Sequence, residues 1–124
     1  MTLKIKSLKE QTEPEDGLRI LIARYRPRAL PKHKENWNEW WRELAPSKDL
    51  HKLYIKDKII GWSEYKRRFL IEIINNPKAL EKIQELRRLS KNKDITLLCH
   101  CYNVGDHCHR YLIRDMIESP TEAA

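Results

Sequence analysis

Two apolar runs far apart in the chain constrain its fold most strongly. LRILIARY (18–25) is apolar on both faces apart from two arginines, and DITLLC (94–99) is equally apolar after its first residue. Strands that are apolar on both faces are typical of the buried centre of a parallel sheet. Parallel strands need long, usually helical, connections, and helical patterns fill the segment between these two runs. The sequence therefore predicts an α/β fold.

Four amphipathic helices are predicted around these strands. NWNEWWRELAP (36–46) places Trp37, Trp40, Trp41 and Leu44 at i, i+3, i+4 and i+7, which indicates a core-facing stripe. The alternative is that the three tryptophans form a platform for stacking nucleic-acid bases. GWSEYKRRFLIEII (61–74) and PKALEKIQELRRL (77–89) follow, the latter with proline at its first helical position. The last helix is predicted from about residue 106 to 118.

With LKIKSL (3–8) as an edge strand, we predict one α/β domain over residues 1–118 and a flexible tail over 119–124. Its sheet is expected to have three strands, parallel or mixed, with about four flanking helices in Rossmann-like layering. The sequence has no run of about 18 apolar residues and no signal-peptide pattern. We therefore expect a soluble, cytoplasmic protein without a membrane partner.

The formal net charge is +7, and residues 51–90 alone carry 10 basic and 5 acidic side chains. A basic face can bind nucleic acid through its phosphates, with Lys66, Arg67 and Arg68 as candidate contacts. Lysine and glutamate interleave along the chain, however, as they do on ordinary solvated surfaces. We therefore rank nucleic-acid binding third, below the two hypotheses for the cysteine-rich turn that follow.

The run TLLCHCYNVGDHCHRYLIRD (96–115) holds all three cysteines and three of the five histidines. With Asp106 as the N-cap, Cys108 falls at the second helical position, where the helix dipole and unpaired amides favour a thiolate. The leading hypothesis makes Cys108 a nucleophile or redox centre with His107 or His109 as its base. The structural alternative is a buried cysteine without reactivity.

Ligands bind parallel α/β sheets at the carboxyl ends of the strands, so the basic loop after residue 25 and the cysteine turn should face each other. This juxtaposition predicts an anion-binding pocket for a phosphate, a carboxylate or a nucleotide. Its candidate residues are Arg24, Arg26, Arg28, Asn103, Gly105 and Arg110. Alternatively, Arg24, Arg26 and Arg28 pair with surface acids such as Glu13, Glu15 and Asp16.

A metal-binding or redox-regulatory module without turnover is the competing hypothesis for the cysteine turn. Cys99, Cys101 and Cys108 with His109 (or His107) offer enough soft ligands for zinc or iron. Their spacing matches no common structural zinc motif, which usually has paired C-x₂₋₄-C ligands. A disulfide between Cys99 and Cys108 is a further alternative if the source is a hyperthermophile.

Four stretches of the chain resemble the domain-of-unknown-function 488 family: GLRILIARYRPR, WWRELAPS, NPKALEKIQEL and LLCHCYNVGDHCHRYLIRD. The resemblance covers residues 3 to 118, and its most specific pieces are Cys108-His109-Arg110 and the run ELAPS (43–47). It implies a small α/β domain with the Cys-His-Arg run at a pocket, and no established activity. Ala23 and Ala29 stand where short members commonly have an acid and a glycine, and Cys101 stands where some have an acid. This chain therefore lacks the acid at both positions, whereas Cys99, Cys108 and Arg110 are present.

Overall fold

The computed structural model describes residues 3–8, 10–26, 31–99 and 108–118, and it confirms the α/β prediction. The predicted tail (119–124) lies outside the described residues. The described β-strands and α-helices, in chain order, are β1 (Leu3–Ser7), β2 (Leu18–Leu21), β3 (Glu39–Trp40), α1 (Lys48–His51), α2 (Trp62–Ile74), α3 (Pro77–Ser90), β4 (Ile95–Cys99) and α4 (His109–Glu118). Short 3₁₀ helices at Pro14–Asp16, Lys32–Lys34 and Arg42–Leu44 and a π-helical turn at Lys52–Lys56 connect them.

The sheet has four strands in the order β1-β4-β2-β3, and every pair is parallel. The expected number of three strands is therefore wrong by one. β1 lies at an edge, as predicted, and the two apolar runs form the central strands β2 and β4. β2 is shorter than its apolar run, because its last sheet residue is Leu21.

The additional strand lies inside the predicted helix 36–46, and that helix prediction is wrong. The Asn38 amide donates to the Arg19 carbonyl (2.7 Å) and the Trp41 amide donates to the Leu21 carbonyl (2.8 Å). Up to Trp41 the backbone therefore completes the open edge of β2, and Arg42–Leu44 then form a single 3₁₀ turn. Trp40 and Trp41 consequently belong to opposite faces of the sheet, since successive strand residues alternate.

One large apolar core covers the face of the sheet that carries Ile20 and Leu97, and all four described α-helices contribute to it. The predicted buried face of α2, formed by Tyr65, Phe69 and Ile73, is confirmed. Among the described residues, the opposite face carries a smaller buried apolar cluster, Leu21, Ala23 and Leu98, against which Trp37 and Trp40 pack. No helix within the described ranges is long and apolar enough to cross a bilayer.

Gly17 makes a tight turn into β2 that no other residue fits. Its φ is +64°, and an added Cβ would lie 2.1 Å from the carbonyl oxygen of Asp94. The same oxygen accepts a hydrogen bond from the Leu18 amide at 2.9 Å, so it cannot move away without breaking the sheet. We expect Gly17→Ala to lower the free energy of unfolding by about 3 kcal/mol or more.

Urea denaturation measures this loss, and Gly61→Ala is the matched control. Nothing lies within 4 Å of the position that a Cβ at Gly61 would occupy. The control should therefore lose less than about 1 kcal/mol, the ordinary scale of a helix-cap substitution. Equal losses for the two variants would contradict the steric argument.

Candidate functional site

Cys99, Cys108 and His109 converge where β4 ends and α4 begins. Cys99 is the last residue of β4, and Cys108 immediately precedes the first residue of α4. Both cysteines are reduced and buried. One ligand atom from each of the three side chains lies within 4.8 Å of the other two. The site thus lies at the carboxyl edge of the sheet, on the face that the helices cover.

His109 is held in one orientation by the strand next to β4. Its Nε2 lies 2.7 Å from the carbonyl oxygen of Ile22, which directly follows β2. A carbonyl oxygen can only accept, so Nε2 carries the proton, and in the neutral ring Nδ1 is then unprotonated. Cys108 Sγ lies 3.8 Å from this Nδ1. The ring of Phe69 meets the imidazole edge-on, with 5.6 Å between the ring centres.

The start of α4 differs from the predicted one. The described helix begins at His109, so Cys108 does not occupy its second position. Five predicted site residues lie outside the described ranges: Arg28, Cys101, Asn103, Gly105 and His107. Asp106, the predicted N-cap, also lies outside them.

The two described arginines after β2 are held by different partners. Arg24 Nε donates to the carbonyl of Pro46 at 2.7 Å, and Arg26 Nε lies 2.5 Å from a carboxylate oxygen of Glu35. The acids suggested as alternative partners include Asp16, which instead binds Lys6 and Arg19. Arg24 therefore keeps a guanidinium without a carboxylate within the described residues, whereas Arg26 is neutralised.

Arg110 is a buried cation near the start of α4. Its side chain is only 6% exposed, and Nε and Nη1 find no hydrogen-bond acceptor within the described part of the chain. The guanidinium carbon lies 5.5 Å from the centre of the Tyr111 ring. An arginine stays charged, and a buried charge without a partner is costly. Arg110 is therefore a candidate for binding an anion.

Other contacts of this region gave no signal in the sequence. The Ile22 carbonyl is a backbone group, so the type of residue at position 22 gives no indication that it orients His109. Arg42, whose guanidinium carbon lies 3.9 Å above the ring of Trp40, lies inside the wrongly predicted helix and was not identified as a site residue.

The candidate nucleic-acid contacts Arg67 and Arg68 lie on α2, and both bind Glu64 at 2.6 Å. These ion pairs reduce the net positive charge of that surface.

Fold and site together define a small parallel α/β protein with a buried cysteine–histidine cluster at the carboxyl edge of its sheet. A family model described as "Active DUF488-N3 subclade" matches residues 3–121. The chain therefore belongs to the DUF488 family of domains of unknown function.

Two curated relatives, both uncharacterised, match the chain over most of its length. The uncharacterised protein YeaO of Escherichia coli (strain K12) is 24% identical over 119 residues, which cover 96% of this chain and 99% of YeaO. The uncharacterised protein Rv3073c of Mycobacterium tuberculosis (strain H37Rv) is 26% identical over 94 residues, 76% of this chain and 75% of that protein. No solved structure matches the chain.

Proposed function

We propose that this protein performs thiol-dependent chemistry on a small anionic substrate, with Cys108 as nucleophile and His109 as its base. The observation that carries the proposal is the fixed orientation of His109. Its protonated nitrogen is bound to the Ile22 carbonyl, so its basic nitrogen faces the sulfur of Cys108. A nucleophile, a base and a third group that orients the base form the arrangement that activates a weak nucleophile.

The chemistry follows from this geometry. Nδ1 of His109 takes the proton of the Cys108 thiol, and the thiolate then attacks an electrophilic centre of the substrate. The bond from that centre to its leaving group breaks as the imidazolium returns the proton to the leaving group. The Ile22 carbonyl accepts a hydrogen bond from the resulting imidazolium and stabilises it. Arg24 and Arg110, which lack carboxylate partners within the described ranges, supply positive charge for a phosphate, a carboxylate or a nucleotide.

Alkylation with iodoacetamide tests the proposal on metal-free protein. We expect Cys108 to react with a pH midpoint below about 8.5, the ordinary value for a cysteine thiol. Mass spectrometry after digestion assigns the modified cysteine, and Cys108→Ser is the control that removes the fast phase. Uniformly slow alkylation of all three thiols, with no bound metal, would contradict the proposal.

A metal-binding module is the second candidate function, and the cluster geometry also favours it. Ligand atoms around tetrahedral zinc lie about 3.5–4 Å apart, so the three side chains would need only a small contraction. A metal-binding histidine commonly donates its other N–H to a backbone carbonyl, as His109 does to Ile22. Zinc or iron would then hold the turn together, and Cys101, outside the described residues, is a candidate fourth ligand.

Cys99 separates the two candidates because only the metal site needs it. In the thiol mechanism, Cys99→Ala should leave the Cys108 alkylation rate within about three-fold. If the protein is a metal module, elemental analysis of the purified wild type should find one zinc or iron per chain. Cys99→Ala should then lose the metal and lower the melting temperature.

A further inference from the structure

A cleft of about 440 Å³ lies beyond the carboxyl ends of β2 and β3. Arg24 lines it from the β2 side, Arg42 and Trp40 line it from the β3 side, and Asn76 lines it from the start of α3. Its volume is within the range of small-molecule pockets, about 300–1,000 Å³. The cleft also contains Glu43 and Ser47, which belong to the ELAPS run and have no role in the cysteine–histidine cluster.

Both guanidinium groups of the cleft are held in place by neutral partners. Arg24 donates through Nε to the Pro46 carbonyl at 2.7 Å. Arg42 stacks over Trp40, and the indole N–H of Trp40 is itself fixed by the carbonyl of Ala23 at 2.7 Å. These contacts orient the two arginines without neutralising them. Preorganised arginines bind an anion at a lower entropic cost than freely rotating ones.

Neither arginine forms an ion pair within the described residues, although most of the other arginines there do. The neighbouring carboxylates have other partners: Glu39 accepts from the indole of Trp41, and Glu72 accepts from the amide and hydroxyl of Ser47. Glu43 is the one acid in the lining, and no ion pair joins it to Arg24 or Arg42. Two arginines against one glutamate leave the cleft with a net positive charge.

We propose that this cleft is an oxyanion subsite, in which Arg24 and Arg42 bind the phosphate or carboxylate of a small molecule. Guanidinium groups bind both oxyanions through paired N–H donors. Glu43 is then available to accept hydrogen bonds from hydroxyl or amino groups elsewhere on the same molecule. The inference rests on the proposed function only in identifying this bound molecule as the substrate of Cys108.

An NMR titration of the full chain with inorganic phosphate tests the subsite, with ionic strength held constant by sodium chloride. The reporter is the indole N–H signal of Trp40, whose ring lies beneath the Arg42 guanidinium. We expect a saturable shift of this signal, and we expect Arg24→Ala and Arg42→Ala each to weaken phosphate binding about ten-fold. Arg42→Lys, which keeps the charge but loses the paired donors, should weaken it less. A parallel titration with acetate shows whether carboxylate is preferred to phosphate.

Arg68→Ala is the matched control because it removes the same charge from an exposed position on α2. It should change phosphate affinity by less than two-fold. A linear, non-saturating shift, or an equal loss in Arg68→Ala and Arg42→Ala, would overturn the subsite. Cys108→Ser should still bind phosphate, so this titration remains decisive even if Cys108 proves unreactive.

Discussion

Asp16→Asn is expected to lower the free energy of unfolding by about 3 kcal/mol or more. Asp16 is 1% exposed, and its carboxylate binds Lys6 Nζ (2.8 Å), Arg19 Nη1 and the Glu13 amide (3.1 Å). Asparagine has nearly the same shape but no charge. The substitution would leave two cations, both largely buried, without their central counter-charge, and breaking a buried ion pair typically costs about 3–5 kcal/mol.

The same network should make the fold sensitive to acid. Burial alone would raise the pKa of Asp16, but the hydrogen bond from Lys6, the Glu13 amide and the charges of Lys6 and Arg19 outweigh it and lower the pKa from 3.8 to about 2. A lowered pKa means that the folded protein binds the proton less readily than the unfolded chain. The stabilisation by Asp16 is therefore complete above about pH 4 and is lost as the pH falls towards 2.

Urea denaturation at pH 7 and at pH 2.5 measures both effects. Asp115→Asn is the matched control, because the Asp115 side chain is 67% exposed and should contribute less than about 0.5 kcal/mol. The difference between wild type and Asp16→Asn should be large at pH 7 and should shrink at pH 2.5. A difference that stays constant with pH would show that Asp16 acts through its shape and not through its charge.

Replacing His109 by glutamine is expected to slow alkylation of Cys108 at pH 7 at least about ten-fold. Glutamine can still donate a hydrogen bond to the Ile22 carbonyl, but it provides no base for the thiol. A thiol without a base is only a few per cent ionised at pH 7, and the thiolate is the reactive form. The measurement is the iodoacetamide rate at Cys108, with the melting temperature as a check on folding.

His51→Gln is the control for this experiment. His51 meets the ring of Tyr25 edge-on, with 5.0 Å between the ring centres, and is not a member of the cysteine–histidine cluster. Its replacement should leave the Cys108 rate within two-fold. If His109→Gln alkylates as fast as the wild type, His109 only packs against Phe69 and orients the turn, and the proposed base role is wrong.

Sequence periodicity predicted α2 and α3 well because their apolar positions have one consistent face. Tyr65, Phe69 and Ile73 recur every four residues and all are buried. Asn76 and Pro77 likewise indicated the start of α3, and the Asn76 side chain does accept from the amides of Lys78 and Ala79. In both helices, local preference and tertiary packing favour the same conformation.

Periodicity gave the wrong prediction for residues 36–46, where the local spacing of side chains favours a helix but the tertiary structure favours strand pairing with β2. The spacing of the tryptophans fits a helix, but the outer edge of β2 has backbone groups that need partners. Asn38 makes two hydrogen bonds to the backbone of Arg19. Its backbone amide donates to the Arg19 carbonyl, and its side-chain oxygen accepts from the Arg19 amide. Hydrogen bonds to a distant strand are invisible to periodicity, so only the folded chain shows this strand.

The sequence by itself determined the α/β class, the central position of the two apolar strands and the concentration of soft ligands in one turn. Those features depend on side-chain type and spacing. Only the tertiary structure decided that Cys99, Cys108 and His109 share one buried cluster, that the Ile22 carbonyl orients the imidazole, and that Arg24 and Arg42 line a common cleft. Each of these contacts joins groups from different elements, and a backbone carbonyl has no signature in the sequence.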